Sequence, residues 1–131
     1  MDSKQLRIGN YVLADYDEVE VLEVYQEQIR ARKLYPLEGL DDILIIHLQN
    51  VHPIPLDAEL LVKCGFVKDG TCFKYGEVYR YYYSGESAEK YFWAFNTPVG
   101  WVAKCDYRLK YLHQLQNLYY VLTGSDLPVT L

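Results

Sequence analysis

Cysteine is scarce in this chain, which has three cysteines among 131 residues. Their number is odd, and their positions lack the close C-x-x-C pairs that mark structural zinc sites. Together with His113 they are spaced too widely to indicate a zinc site, so we expect no disulfide framework, no metal and no cofactor. Unpaired thiols are typical of reducing compartments, which predicts a cytoplasmic protein. The cysteines are Cys64, Cys72 and Cys105.

Long apolar runs are also missing. The longest aliphatic run, Ile43–Ile46, has the size of a core strand and falls far short of the ~20 residues that span a bilayer. The residues that follow Met1 lack the apolar stretch of a signal peptide. We therefore expect no membrane insertion and no export.

Positive charge is in deficit, with 13 Lys and Arg against 18 Asp and Glu and a net charge of −5. Proteins that bind nucleic acids generally need a basic face. The balance disfavours general nucleic-acid binding, although Lys104, Arg108 and His113 gather cationic groups near the last predicted helix.

Catalytic motifs are absent as well: the chain has no G-x-S-x-G, H-E-x-x-H or Walker-type loop. The carboxylates of Asp15 and Asp17, and those of Asp41 and Asp42, fall in predicted turns and are expected to be solvated. These patterns predict that the protein is not an enzyme. A Cys/His-dependent enzyme remains a remote alternative, and it requires convergence of such groups in one pocket.

Tyrosine, by contrast, is abundant: the chain has 14 tyrosines, against 4 Phe and 2 Trp. Tyrosine suits half-buried strands and interfaces, because its ring is apolar and its hydroxyl can stay hydrated. In the second half, Tyr79 and Tyr81 alternate with Arg80 and Tyr82 along one predicted strand. One of these two rows is expected to be core, and the row of Arg80 and Tyr82, with Phe92 on the next strand, is expected to be exposed.

The pattern of elements predicts an α+β protein. Residues 1–56 carry short strands, beginning around Leu6, with 28–32 as a solvated edge strand and 43–48 as a buried strand; this suggests an SH3-like small β-barrel. Residues 57–131 predict a helix that begins at Asp57 and ends at Gly65, then an antiparallel β-meander and a C-terminal helix that covers it. The two subdomains are expected to pack as one unit.

The C-terminal amphipathic helix is predicted over residues 107–122, with Asp106 as its N-cap and Gly124 at its end. Leucines form its apolar stripe, whereas His113, Gln116, Asn117 and Tyr120 form a polar stripe beside it. This polar stripe is either a recognition face for a partner or a rim that hydrogen-bonds neighbouring strand ends. The second interpretation is favoured, because buried polar groups usually find backbone partners.

Three segments carry a resemblance: LRIGNYV (6–12), PIPLDAELLVKCGF (53–66) and YLHQLQNLYYVLTGSDL (111–127). They resemble small uncharacterised proteins of gut Bacteroidetes, which often occur in prophage or mobile-element neighbourhoods. The resemblance implies a cytoplasmic accessory protein of such elements. It carries no known activity and no functional residues.

These observations favour a non-catalytic protein-interaction module with an unidentified protein partner. The alternative is a nucleic-acid-binding protein that uses the Tyr-rich sheet, and a homodimer through an exposed tyrosine row is compatible with both. The candidate binding residues are Arg80, Tyr82, Phe92, Lys104, Arg108, His113 and Asn117.

Overall fold

The computed structural model describes residues 1–35, 42–70, 72–75, 79–82, 92–97, 100–104 and 110–131. In these residues the chain forms two α-helices and two antiparallel five-stranded sheets, which confirms the α+β prediction. The chain divides into two compact units. The first comprises Met1–Pro55 and Tyr111–Asp126, and the second comprises Leu56–Lys110 and Leu127–Leu131.

The first unit contains a sheet with the strand order β4-β3-β2-β1-β5. Buried residues alternate with more exposed ones along β1 and β3, as expected for a sheet with one buried face. A register shift between Val21 and Glu23 interrupts the pairing of β2 with β3. The strands are β1 (Tyr11–Ala14), β2 (Asp17–Val24), β3 (Gln28–Lys33), β4 (Ile43–His47) and β5 (Val51–His52). The buried core of this unit is formed by Leu6, Val12, Ala14, Val19, Val21, Ile29, Ala31, Leu48 and Val51.

Three local predictions for this sheet are wrong. The segment around Leu6 is no strand: a short 3-10 turn, Ser3–Gln5, precedes it, and β5 supplies the fifth strand instead. The segment 28–32 was expected at an edge, but β3 lies between β2 and β4. Correspondingly, β4 is the edge strand and not a buried one, and Ile45 is 67% exposed. Alternation reveals which face of a strand is buried, but it does not identify the neighbouring strands.

The SH3-like barrel is not confirmed. In the described residues β4 and β5 lie at opposite ends of the sheet and do not pair, so the sheet does not close on itself. The turn predicted at residues 36–39 lies outside the described residues.

The second unit contains helix α1 (Ala58–Lys63) and a sheet with the order β10-β9-β8-β7-β6. The Asp57 carboxylate accepts a hydrogen bond from the Leu60 N–H at 2.7 Å, which confirms the predicted N-cap. Helix α1 is followed by its C-cap Cys64 and then by Gly65, whose φ of +90° confirms the glycine predicted to stop the helix. The meander is also confirmed, with one strand more than predicted, β6. The strands are β6 (Val67–Asp69), β7 (Cys72–Tyr75), β8 (Tyr79–Tyr82), β9 (Phe92–Thr97) and β10 (Gly100–Lys104).

Helix α2 (Leu112–Thr123) is shorter than predicted. Lys110 and Tyr111 precede it in a non-helical conformation: the Leu56 N–H donates to the Lys110 carbonyl, and Pro55 forms a bridge with Tyr111. Asp106, the predicted N-cap, lies outside the described residues, and Tyr111 occupies that position. The prediction of the helix end at Gly124 is confirmed by its φ of +74°.

Helix α2 packs against β1 in the first unit, where the sequence had placed it over the meander. This grouping differs from the contiguous subdomains 1–56 and 57–131, because Gln116 of the helix bonds to residues that precede it by 105 and 107 positions. In the described part of the chain, no helix has both the length and the apolar character that crossing a membrane requires.

Candidate functional site

The polar stripe of α2 bonds to strand ends, as the sequence analysis favoured. The buried Gln116 side chain donates to the Gly9 carbonyl at 3.1 Å and accepts from the Tyr11 N–H at 2.9 Å. Asn117 donates to the Gln5 carbonyl at 3.0 Å and accepts from the Asn10 amide at 2.8 Å. These bonds join the helix to the segment that leads into β1, so Gln116 and Asn117 have a structural role.

The end of α2 is held by a charged contact that the sequence did not reveal. The Arg7 guanidinium lies 4.0 Å above the centre of the Tyr120 ring and 2.8 Å from an Asp126 carboxylate oxygen. Cation–π contacts and ion pairs of this kind hold side chains in place across distant parts of a chain. Arg7 therefore belongs to the attachment of the helix rather than to a free basic surface.

His113, a candidate binding residue of the polar stripe, lies on the buried side of α2. Its side chain is 4% exposed, and its ring stacks on Tyr111 with the ring centres 6.0 Å apart. Burial lowers the pKa of the imidazole to about 4, so the ring is neutral at pH 7. Within the described residues, its Nδ1 has no hydrogen-bond partner.

Four other candidate residues, Arg80, Tyr82, Phe92 and Lys104, lie in strands of the second sheet. The register pairs Lys74 with Arg80 and Tyr82 with Phe92, which places cationic and aromatic residues in adjacent rows. Lys104 is at the end of β10, in register with Trp93. Arg108 lies outside the described residues. The structure thus brings Arg80, Tyr82 and Phe92 to neighbouring positions, whereas His113 and Asn117 belong to the other unit.

The groups considered for metal binding or catalysis are dispersed in the part of the chain that the structure describes, where no three His, Cys, Asp or Glu residues come together. Cys64 is fully buried, and burial raises the pKa of its thiol to about 12. Such a thiol is protonated and unreactive at neutral pH. Cys105 and Asp41 lie outside the described residues.

A surface feature that the sequence analysis missed lies at one end of the first sheet. A shallow, open depression of about 240 Å³ lies between the β1–β2 turn and the end of β3. We call it the tyrosine depression; its lining residues are Tyr16, Asp17, Glu18, Lys33 and Tyr35.

Local structure places the two tyrosines of the depression at the surface. Ala14 pairs with Asp17, so Asp15 and Tyr16 form a two-residue turn, and Asp15 adopts the positive φ that aspartate tolerates. The Asp15 N–H donates to the Asn50 carbonyl at 3.0 Å, which fixes the turn. Tyr16 is 98% exposed and Tyr35 is 66% exposed.

Charges surround these rings. Asp17 and Lys33 form an ion pair at 3.4 Å across β2 and β3. The Leu34 N–H donates to the Glu18 carbonyl at 3.1 Å, which ties the start of β2 to the chain after β3. With Asp15 next to them, the depression carries more carboxylates than ammonium groups.

A sequence signal for this site existed in the segment Asp15-Tyr16-Asp17-Glu18. An aromatic residue between aspartates in a tight turn has no neighbouring apolar side chain to cover it. The carboxylates by themselves indicate a solvated turn, and only the tyrosine between them marks a surface for binding. The contribution of Lys33 and Tyr35 depends on strand pairing and has no local signal.

Comparison with known proteins found no match: no family model, no curated protein and no solved structure resembles this chain at a significant level. The resemblance to proteins of gut Bacteroidetes and mobile elements stays a prediction.

Proposed function

We propose that the chain is a cytoplasmic, non-catalytic protein-interaction module that binds an extended, basic segment of a partner protein at the tyrosine depression. The observation that carries the proposal is that two exposed tyrosines, Tyr16 and Tyr35, line one acidic depression. Each ring offers a large apolar area, and its hydroxyl group can hydrogen-bond at the rim of an interface.

The exposure of the Tyr16 and Tyr35 side chains supports a binding function rather than a catalytic one. Tyrosine is enriched at protein interfaces and among the residues that contribute most to affinity. The depression is shallow and open, which suits a segment laid across the surface more than a small molecule that must be enclosed.

Charge supports a basic partner. The Asp17 carboxylate is already paired with Lys33, but in the described part of the chain no ion pair reaches Asp15 or Glu18. An arginine or lysine of the partner that reaches these two carboxylates gains attraction during approach and at contact.

The strand order supports an SH3-like arrangement for the first unit, which we also propose. After β4, a 3-10 turn (Leu48–Asn50) returns the chain to β5, which pairs with β1. A strand that returns to the opposite end of the same sheet is the arrangement from which a strongly bent sheet approaches a barrel.

Binding of a fluorescent peptide with alternating arginine and proline, measured by anisotropy, tests the proposal. Its glutamate–proline counterpart is the charge control, because the acidic depression should bind only the basic peptide. We expect Tyr16→Ala and Tyr35→Ala each to weaken binding of the basic peptide roughly tenfold, about 1.4 kcal/mol. Tyr25→Ala is the matched control: Tyr25 is an exposed tyrosine of the same unit outside the depression, and its loss should leave affinity unchanged.

Two results contradict the proposal: binding of both peptides alike, or equal loss in the Tyr25→Ala variant. A labelled single-stranded oligonucleotide in the same assay addresses the nucleic-acid alternative, which the pairing of Lys74 with Arg80 and of Tyr82 with Phe92 favours. Oligonucleotide binding that falls steeply with salt and is lost in Arg80→Ala would support that alternative instead.

A further inference from the structure

The edge strand β4 lacks the features by which edge strands normally avoid pairing with other chains. Such strands are typically shortened, bulged or marked with lysine or proline. β4 is Ile43-Leu44-Ile45-Ile46-His47, and its register with β3 runs over five residue pairs without a shift. In the described residues no strand pairs with its outer side.

The hydrogen bonds to β3 determine which groups of β4 face outward. The Lys33 N–H donates to the Asp42 carbonyl at 2.7 Å, and the Leu48 N–H donates to the Glu27 carbonyl at 2.9 Å. Because hydrogen-bonded pairs alternate along an antiparallel ladder, Leu44 and Ile46 direct their backbone groups to β3. The N–H and C=O groups of Ile43, Ile45 and His47 are therefore directed to the open edge.

These outward backbone groups are complementary to the same groups of a second β4 strand that is related by a two-fold rotation. If Ile45 is opposite Ile45 of a second copy, then Ile43 is opposite His47 and His47 is opposite Ile43, and each of these is a hydrogen-bonded pair. The central side chains on the outer face are then two isoleucines, apolar residues in direct cross-strand contact.

The charges beside β4 favour a second copy of the chain as the partner that pairs with this edge. Arg30 forms an ion pair with Glu23 at 3.3 Å, and Arg32 lies 3.7 Å from Asp42. Both cations next to β4 are thus compensated within the chain, so these arginines add no repulsion between two copies. An acidic partner strand, in contrast, finds no unpaired arginine on β3 beside this edge.

We propose that two copies of the chain associate through antiparallel pairing of their β4 strands, which joins the two first sheets into one. A single strand pair buries less area than obligate dimers do, so the dimer forms reversibly with concentration. The surface is separate from the tyrosine depression, and the dimer does not depend on the peptide-binding proposal.

Sedimentation velocity over a concentration series tests the dimer. The wild type should pass from monomer to dimer, and Ile45→Lys should shift this transition at least tenfold upward, because two ammonium groups then face each other at the axis. Ile8→Lys is the matched control: Ile8 is 60% exposed in the same unit but lies away from β4, and its replacement should leave the transition unchanged.

A second variant separates the edge hydrogen bonds from the side chains. Ile45→Pro removes an N–H that bonds to nothing within the sheet, and edge strands tolerate proline at such positions. We expect a folded monomer, with the wild-type circular dichroism spectrum and no dimer at concentrations where the wild type is dimeric.

Hydrogen exchange provides a test that needs no variant. In the wild type, the amides of Ile43, Ile45 and His47 should exchange more slowly as concentration rises, whereas those of Leu44 and Ile46 should be protected throughout. The proposal is overturned if the wild type stays monomeric, or if its dimer persists in both Ile45 variants. A dimer that leaves these three amides unprotected overturns it too.

Discussion

Burial raises the pKa of the Cys64 thiol to about 12 and lowers the pKa of the His113 imidazole to about 4. At the scale of residues, burial thus shifts these two pKa values in opposite directions, because it disfavours whichever form of the group is charged. Both groups are therefore neutral at pH 7. Their surroundings suit a packed interior, and neither has the exposure that a nucleophile or an acid–base group needs.

His113 makes the stability of the protein depend on pH. Its pKa is about 4 in the folded chain and 6.5 in the unfolded chain, so between these values the unfolded chain binds more protons. The free energy of unfolding should therefore fall as pH decreases from about 6.5 to about 4, by up to roughly 3 kcal/mol from this residue. Urea unfolding at a series of pH values measures this slope.

The variant His113→Gln should lose this part of the pH dependence, whatever its stability at pH 7. His52→Gln, at an exposed histidine of the same unit, is the control and should retain the wild-type slope. An unchanged slope in His113→Gln would assign the pH dependence to other groups.

At the scale of elements, the end of α1 shows how backbone and packing act together. The Gly65 N–H donates to the Val62 carbonyl and the Phe66 N–H to the Leu61 carbonyl, the two bonds of a Schellman motif. A Cβ at Gly65 would lie 3.0 Å from the Tyr75 ring. Glycine is thus required there both for its positive φ and for the space beside the ring.

Gly65→Ala should lower the free energy of unfolding by about 2 kcal/mol, from strain at positive φ and from displacement of the Tyr75 ring. Gly124→Ala is the matched control, because Gly124 ends α2 with a φ of +74° and has open space around it. Gly124→Ala should lower the free energy of unfolding only by the strain at positive φ, about 1 kcal/mol. Equal losses in thermal or urea unfolding would show that the Tyr75 contact is unimportant.

The attachment of α2 to the first sheet depends on Gln116. Gln116→Leu should destabilise the chain by about 1–3 kcal/mol, because the partly buried Tyr11 N–H and Gly9 carbonyl each lose a partner. Urea unfolding measures the loss, and Gln26→Leu at an exposed glutamine of the β2–β3 turn should have little effect. Equal stability of the two variants would contradict a docking role for Gln116.

At the scale of the whole molecule, elements with strong local signals were predicted best. The prediction of helix α1 was correct because Asp57 and Gly65, the residues that start and stop it, lie within one turn of its ends. The prediction of the meander strands was correct because glycines and polar residues separate them in the sequence. The predicted start of α2 was wrong. Lys110 and Tyr111 are held in extended form by Ile54–Leu56, which are more than fifty residues away in the sequence.

The sequence by itself determined the α+β class, the antiparallel meander and the two ends of helix α1. These follow from the periodicity of apolar residues and from capping residues, whose effects act over a few positions. Only the tertiary structure decided that β4 lies at an edge, that α2 joins the first sheet and that Tyr16 and Tyr35 line the same acidic depression. The physical reason is that strand order and helix docking depend on pairing between distant segments, and a local pattern of residues does not specify its partner.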